Sequence, residues 1–432
     1  MYIKKAVIKD IRAINNFELT FPAPAGWHVI IGDNGAGKST VVRSLALALV
    51  GPTEALGLRA SWNDWLNNQA VNGEIALHLE SSDQDRHSGR QAKLKNQWIP
   101  NIIQFHTNII VSSWSQPHYR TVDLSAPKDL KPDPFKYNWG HGAGWFSVAY
   151  GPFRRFEGGN PEWTKLFYSQ PKLGAHLSVF GEDVALTEAI DWLVKLNYQV
   201  LEQKEEGDII EDIKKLINSP DFLPHQAKLE NISSDGVEFR DGNGSIIQVN
   251  QLSDGYRSIL SLTFELIRRM IRVYGSDAVF KNIRKDKMAI DLPGVVLIDE
   301  IDAHLHPSWQ TRIGQWFTSY FPNIQFIVTT HSPLVCRACD KGSIWRLAAP
   351  GSDSESGEIT GNERDRLIVG NILDAYGTEL FGKSPVRSDR SQDKLARLGK
   401  LNMLSAFGKI GEEEEKERQY LQSILTTDAP AN

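Results

Sequence analysis

Cysteine is almost absent: the 432 residues contain two, Cys336 and Cys339. A disulfide framework is thereby excluded, and one C-x-x-C pair falls short of the four ligands of a structural zinc site. The pair follows an apolar strand and opens a helical stretch, so buried, inert thiols are expected. Long apolar runs are missing as well. No stretch approaches the roughly 18 residues of a membrane span, and Met1-Tyr2-Ile3-Lys4-Lys5 runs straight into strand-like sequence without an apolar leader. The expectation is a cytoplasmic chain with no membrane contact. Positive charge is not in excess either. Lys plus Arg number 48 against 53 Asp plus Glu, a net charge of −5, so no global basic field advertises nucleic acid, although a local basic patch for nucleic-acid contact stays open.

What is present is a phosphate-binding loop. Gly32-Asp33-Asn34-Gly35-Ala36-Gly37-Lys38-Ser39-Thr40 fits G-x-x-x-x-G-K-[ST]. The apolar Val29-Ile30-Ile31 precedes it, and Val41, Val42, Leu45 and Leu49 follow at helical spacing. Strand, loop and helix thus stand in the order the chemistry needs. Backbone N–H groups from Asp33 to Thr40 turn inward around phosphates, Lys38 supplies a charge for the β/γ oxygens, and the Ser39 hydroxyl suits Mg²⁺. ATP and Mg²⁺ are the expected ligands.

Along the chain, three strands are expected at Tyr2 to Ile8, Phe17 to Phe21 and Trp27 to Ile31, then a helix from Lys38 to about Val50 stopped by Gly51-Pro52. Glu74 to Leu79 and Ile102 to Ser112 read as strands around an exposed polar loop, Ser81 to Gln97. Trp145 to Tyr150 is strand-like, and the Arg154-Arg155 that follows either faces a phosphate or is solvated. Residues 183 to 217 read as helix, too short for long coiled-coil arms. Val237 to Phe239 and Ile246 to Val249 flank Asp241-Gly242-Asn243-Gly244 as a hairpin. A helix from about Tyr256 to Val273 carries Arg268, Arg269 and Arg272, for which a solvated surface is favoured over a basic binding face. Val295 to Ile298 and Gln325 to Val328 are buried-strand runs with helical sequence between them, implying a parallel sheet. Residues 363 to 425 read as mostly helical, with the acidic run Glu412 to Glu415 solvated.

Asp299 and Glu300 leave the first of those buried strands. Two adjacent carboxylates there suit Asp299 to hold Mg²⁺ and Glu300 to orient and deprotonate an attacking water. His304 and His306 follow, and their i, i+2 spacing favours loop packing over a metal pair.

The phosphate loop, Leu252-Ser253-Asp254-Gly255-Tyr256-Arg257, Leu297-Ile298-Asp299-Glu300 with His304-Leu305-His306-Pro307, and Val328-Thr329-Thr330-His331 occur in chain order. Together they resemble the RecF/SMC-like ABC ATPases, in the compact branch found in prokaryotic antiphage systems. The pattern is similar to the Septu and retron-associated ATPases, with PARIS-type ATPases close behind. This resemblance implies that Ser253 and Gly255 grip the γ-phosphate bound to an opposite protomer, although Asp254 and Tyr256 depart from the LSGGQ signature. It implies that His331 is a γ-phosphate switch residue, and that Ile301 to Pro307 crosses a dimer interface. The coupling glutamine is either Gln104 or replaced by the Tyr150 to Arg155 segment. Ser253 and Asp299 stand 46 positions apart, which argues against a transporter subunit.

The implied fold is an α/β ABC-type P-loop ATPase head, a mixed sheet with N-terminal antiparallel strands, an inserted helical or lid region and a helical C-terminal tail. The core would comprise residues 1–50 and 236–350, the insertion 51–235 and the tail 351–432. The implied function is an ATP-hydrolysing sensor and scaffold, a homo-oligomer of two or more copies that controls an effector nuclease of HNH or TOPRIM type. No acidic TOPRIM-like constellation follows His331, so the nuclease would be a separate chain. A RecF-like clamp that binds DNA in repair is the alternative.

Overall fold

The computed structural model describes residues 1–59, 61–87, 98–110, 119–139, 143–153, 170–181, 188–202, 208–233, 236–352, 354–370 and 389–425. The chain divides into two compact units, Met1–Ile372 and Leu373–Asn432. It has an α/β fold in which the larger unit carries two main sheets.

One sheet is antiparallel, formed by β1 (Tyr2–Ile11), β2 (Ile14–Thr20), β4 (Asn72–Glu80), β6 (Trp98–Ile110) and β7 (Tyr119–Ser125) in the order β2-β1-β4-β6-β7. The other contains β16 (Gly357–Ile359), β15 (Ile344–Leu347), β3 (Gly26–Gly32), β14 (Ile324–Thr329), β13 (Gly294–Ile298) and β9 (Ser147–Tyr150) in that order. Every pairing in it is parallel except β15 with β16. Parallel strands are covered on both faces, and their sequences show it: Val295 to Ile298 and Ile324 to Val328 are continuous apolar runs apart from Gln325.

Gln325 has a structural reason to break that run. Its amide is completely buried and bonds both backbone groups of Ile3 in β1, accepting from Ile3 N at 2.8 Å and donating to Ile3 O at 2.9 Å. One side chain thereby joins the two sheets. The helix Lys38–Val50 lies in the shared core with residues of both, and Gly51, at φ 96°, ends it before Pro52.

Within the expected 81–97 loop the short strand β5 (Arg86–His87) forms and pairs with the distant β8 (Ala143–Gly144). The Asp241 to Gly244 hairpin forms between β11 (Gly236–Arg240) and β12 (Ile246–Gln248), and a strand the sequence reading omitted, β10 (Lys228–Ser233), pairs with β11. Helices Glu188–Leu201 and Asp208–Ile217 fill the 183–217 region. The smaller unit contains helices Asp389–Ala406 and Glu412–Leu425, joined by buried Leu398, Leu401 and Leu421 and by a 2.7 Å Arg397–Glu417 ion pair. Among the described residues, no helix is long and apolar enough to cross a membrane.

One expectation needs correction. Arg268 and Arg269 do not form a solvated face on the helix Asp254–Tyr274. Arg269 is buried, and both guanidiniums clasp the equally buried Glu265, at 2.7 Å from Arg268 and 2.6 Å from Arg269. The i+3 and i+4 spacing brings both arginines onto the turn that carries the glutamate.

Candidate nucleotide site at the strand ends

Parallel strands deliver their carboxyl ends to one edge of the sheet, where ligands of α/β proteins collect. Here β3 runs into the phosphate loop, β13 into Asp299-Glu300, β14 into Thr330-His331 and β9 into Gly151. Residues far apart in the chain therefore meet. A backbone bond from Thr330 N to Ile30 O (3.2 Å) ties the histidine-bearing segment to the strand before the loop.

In the loop, Gly35 and Gly37 have φ of 80° and 100°, left-handed values that favour glycine. A side chain at Gly35 would meet nothing within 4 Å, so this part of the cradle is open. Asp33 and Ser39 are half-buried, Asn34 is exposed, and Ala36, Lys38 and Thr40 are buried. The Lys38 ammonium folds back to donate to Gly32 O (2.8 Å) and Asp33 O (3.0 Å) and lies 3.5 Å from His331 Nδ1. Burial lowers the Lys38 pKa against the opposing pull of Glu300, Asp299, Asp302 and Asp33. Burial, and then Lys38, also lower the His331 pKa, so the ring is neutral at pH 7 with a lone pair to offer.

The carboxylates are held by two adjacent threonines whose side chains the sequence reading left without a role. Thr329 Oγ1 donates to Asp299 Oδ1 at 2.6 Å and accepts from Glu300 N at 2.8 Å. Thr330 Oγ1 donates to Asp302 Oδ1 at 2.6 Å and accepts from Ser332 N at 2.9 Å. Consecutive residues at the end of β14 thus clamp consecutive parts of the segment beyond β13. Asp299 is nearly inaccessible, 1% exposed, while Glu300 is half-buried with φ 48°, a value L side chains adopt at a cost.

Ser253 is the N-cap of helix Asp254–Tyr274, and Gly255 stands in its first turn, where an added Cβ would lie 3.5 Å from His304 O. The segment implied to cross a dimer interface therefore touches the signature helix. His306 caps the short helix Pro307–Gln310, its Nδ1 accepting from Ser308 N, and Gln310 Nε2 donates to Leu305 O at 2.9 Å. Loop packing accounts for His306, and no cluster able to hold a metal through three or more His, Cys, Asp or Glu occurs among the described residues. Cys336 and Cys339 are free and buried, with burial raising both thiol pKa values.

Of the coupling candidates, Gln104 lies in β6 and bonds Glu74 at 3.2 Å, within the antiparallel sheet. The other candidate begins at the site itself: Asp299 N donates to Tyr150 O at 2.8 Å, so the chain leaves β9 beside the carboxylates. Arg154 and Arg155 lie outside the described residues.

Two family models match the chain: "AAA domain" over residues 5–114 and "AAA domain, putative AbiEii toxin, Type IV TA system" over residues 183–337. The first spans the phosphate loop, and the second spans the helix Asp254–Tyr274, the carboxylates and His331. Both parts of the candidate site thus fall within stretches similar to AAA domains. The Septu protein PtuA of Bacillus mycoides (strain KBAB4) is 23% identical over 442 residues, an alignment covering 97% of this chain and 52% of that protein. The Retron Vc95 probable ATPase of Vibrio cholerae serotype O1 biovar El Tor is 25% identical over 348 residues, covering 71% and 66%. A shorter match, 44% identical over 107 residues, is to the Retron Ec83 probable ATPase of Escherichia coli, with 25% of this chain and 18% of that protein covered. The chain spans about half the length of the Bacillus mycoides relative.

The site suits a nucleoside triphosphate and a hard divalent cation. The left-handed Gly35 leaves its part of the cradle open, a buried ammonium is bonded to two loop carbonyls and meets a neutral imidazole, and the oxygen donors Ser39 and Asp299 match the preference of Mg²⁺ for oxygen.

Proposed function

We propose that this ATPase is a nucleotide-driven clamp that senses and scaffolds in prokaryotic antiphage defence, holding a separate nuclease of HNH or TOPRIM type in check until ATP chemistry changes the assembly. The observation that carries the ATP chemistry is the convergence of Lys38, Asp299, Glu300 and His331 on one edge of the parallel sheet. The alignment with PtuA along nearly the whole chain supports the defence setting.

In this reading backbone groups from Asp33 to Thr40 cradle the phosphates, and Lys38 exchanges its bonds to Gly32 O and Asp33 O for phosphate oxygens. Ser39 and Asp299 would hold Mg²⁺, which would supply neutralisation of phosphate charge. Glu300 takes a proton from the attacking water. His331 touches the γ-phosphate and registers its loss. Ser253 and Gly255, at a helix N-terminus, present N–H groups to the phosphate bound by a second protomer, so two sites are completed by dimerisation. The core comprises residues 1–50 and 236–350, with 51–235 inserted and 351–432 as a tail, in a cytoplasmic protein.

The test is the mass in solution of the native chain and of Glu300→Gln, with and without ATP and Mg²⁺. Growth of a dimer or larger species with ATP, stronger in the variant, is expected. An unchanged mass in every condition overturns the clamp. Metal-dependent nuclease activity in the pure chain would remove the need for a separate effector.

A further inference from the structure

Beside Ser253 the surface opens into a recess of about 610 Å³ to which the proposed mechanism gives no role. That volume is in the range of small-molecule sites. The turn Pro224–Gln226 and the hairpin between β11 and β12 both line it, and the buried Ala227 and Leu252 supply apolar surface. The turn is strained. His225 and Gln226 are consecutive non-glycine residues at φ 51° and 59°, left-handed values that persist only where neighbours over-determine them. Gly242, in the hairpin, is such a neighbour: a Cβ there would come within 2.4 Å of His225 O. Hairpin and turn are therefore closed on one another and present their side chains to a common space.

Among the described residues no lysine or arginine lines the recess, so it is not built to grip phosphate. Its polar groups suit a neutral, flat ligand. The side-chain amides of Gln226 and Asn243 make no hydrogen bond among the described residues. Each holds a donor and an acceptor side by side, the pair that matches the N6 amino group and the neighbouring ring nitrogen of adenine. Asp241 Oδ1 accepts from Asn243 N at 2.9 Å and from Ser245 N at 2.8 Å. Those bonds fix the carboxylate and leave Oδ2 for a ribose hydroxyl, the use made of a carboxylate in dinucleotide sites. Tyr256 and Ile247 add half-buried surface. Ser253 lines the same recess from the N-cap position of Asp254–Tyr274, yet its side chain makes no capping bond. A serine there ordinarily caps, so this hydroxyl also has capacity to spare.

We propose that this recess receives the nucleoside end of an adenine nucleotide: Gln226 and Asn243 read the base edge, Asp241 accepts from the ribose, and Tyr256, Ile247 and Leu252 cover the flat face. Two sources share this chemistry. One is the ATP held by a second copy, whose phosphates the clamp reading places at Ser253 and Gly255; the other is a free nucleotide. The shared position of Ser253 favours the first, and in that form the inference rests on the clamp reading above. One ATP would then be held in two ways, its phosphates by the loop of one protomer and its base by the hairpin and turn of the other.

The experiment uses the full chain and compares native protein, Gln226→Glu and Asn243→Ala, measuring kcat/KM for phosphate release from ATP and from GTP, with melting temperature as the control for folding. The carboxylate in Gln226→Glu has no proton to donate to an adenine ring nitrogen but accepts from the N1 and N2 hydrogens of guanine. Expected are a native preference for ATP and, in Gln226→Glu, a kcat/KM about 10-fold lower for ATP with that for GTP held or raised. Asn243→Ala should show a smaller loss confined to ATP, and both variants should melt near the native temperature. Native protein that treats the two nucleotides alike, an ATP-to-GTP ratio unmoved in both variants, or equal losses for both nucleotides would each overturn the proposal. AMP bound by Lys38→Ala, and lost when Gln226→Glu is added, would identify free nucleotide as the occupant; a shifted preference without such binding identifies the ATP of the second copy. A shifted preference in a protein whose mass never responds to ATP would overturn the clamp reading and leave the recess standing. Neither hydrolysis nor AMP binding would overturn both.

Discussion

Every residue of β13 and of β14 is buried, whereas β2 in the antiparallel sheet alternates, with Phe17 and Leu19 inside and Asn16, Glu18 and Thr20 outside. The antiparallel sheet keeps one side in water and closes its ladder with neighbours in sequence or nearly so. Strands β13 and β14 of the parallel sheet are hidden completely, and the acidic side chains and the histidine stand where those strands stop. Asp299, Glu300, Thr329, Thr330 and His331 all stand at those ends. Position along a buried strand thus separates residues that hold the fold from the residues proposed to do chemistry, and the antiparallel sheet carries the first kind.

The sharpest test of this division is Lys38→Ala. Phosphate release should fall about 10³-fold, while the unliganded melting temperature stays near that of the native chain, because the lysine bonds two carbonyls of its own loop and makes only a long 3.5 Å contact to His331. Leu77→Ala in β4 should do the reverse. Leu77 is completely buried in the shared core, so denaturant unfolding should show a loss of about 3 kcal/mol, with kcat per folded molecule unchanged. A severe loss of turnover in Leu77→Ala, at a temperature where it is folded, would break the comparison.

Acid should act next. His28, in β3, is bonded to Pro24 O and Ser343 Oγ at 2.8 Å each, and burial drives its pKa down to about 4; His176 falls to about 3. Between those values and about 6.5 the unfolded chain binds protons that the folded chain refuses. Stability is therefore full above about pH 6.5 and declines as pH falls toward 4, by about 3 kcal/mol for His28. Urea midpoints from pH 7 to pH 4 should follow that slope, and His28→Gln should flatten it. The smallest effect belongs to Thr329→Val, which keeps the shape of the strand end but strips the hydroxyl from Asp299 Oδ1 and Glu300 N. A cost of about 2 kcal/mol is expected, together with a lower kcat, which distinguishes a strand-end residue from Leu77.

The phosphate loop, the carboxylates and the parallel sheet were legible in the sequence because each depends on local pattern: glycine spacing, a continuous apolar run, acids directly after it. The helix Lys38–Val50 begins and ends where glycine, lysine and proline place it. What escaped was set by tertiary contact. Arg268 and Arg269 carry nothing in their spacing to distinguish a solvated face from a buried clasp on Glu265; the approach of residues 171–174, whose Pro171 and Gly174 carbonyls accept from Arg269, decides it. Thr329 was visible as part of a strand end, but its bond to Asp299 joins residues 30 positions apart. Gln325 looked like a polar interruption, and its partner is Ile3, 322 positions away.

Glu300 adopts a left-handed backbone conformation that a glycine would occupy without strain. Glu300→Gly would relieve about 1 kcal/mol of that strain, offsetting the extra freedom glycine gives the unfolded chain. With the two terms close to cancelling, stability gives little reason to prefer either residue at this position. What distinguishes them is the carboxylate, so under the proposed mechanism Glu300→Gly should fold about as well as the native chain and release no phosphate, separating durability from turnover at a single position.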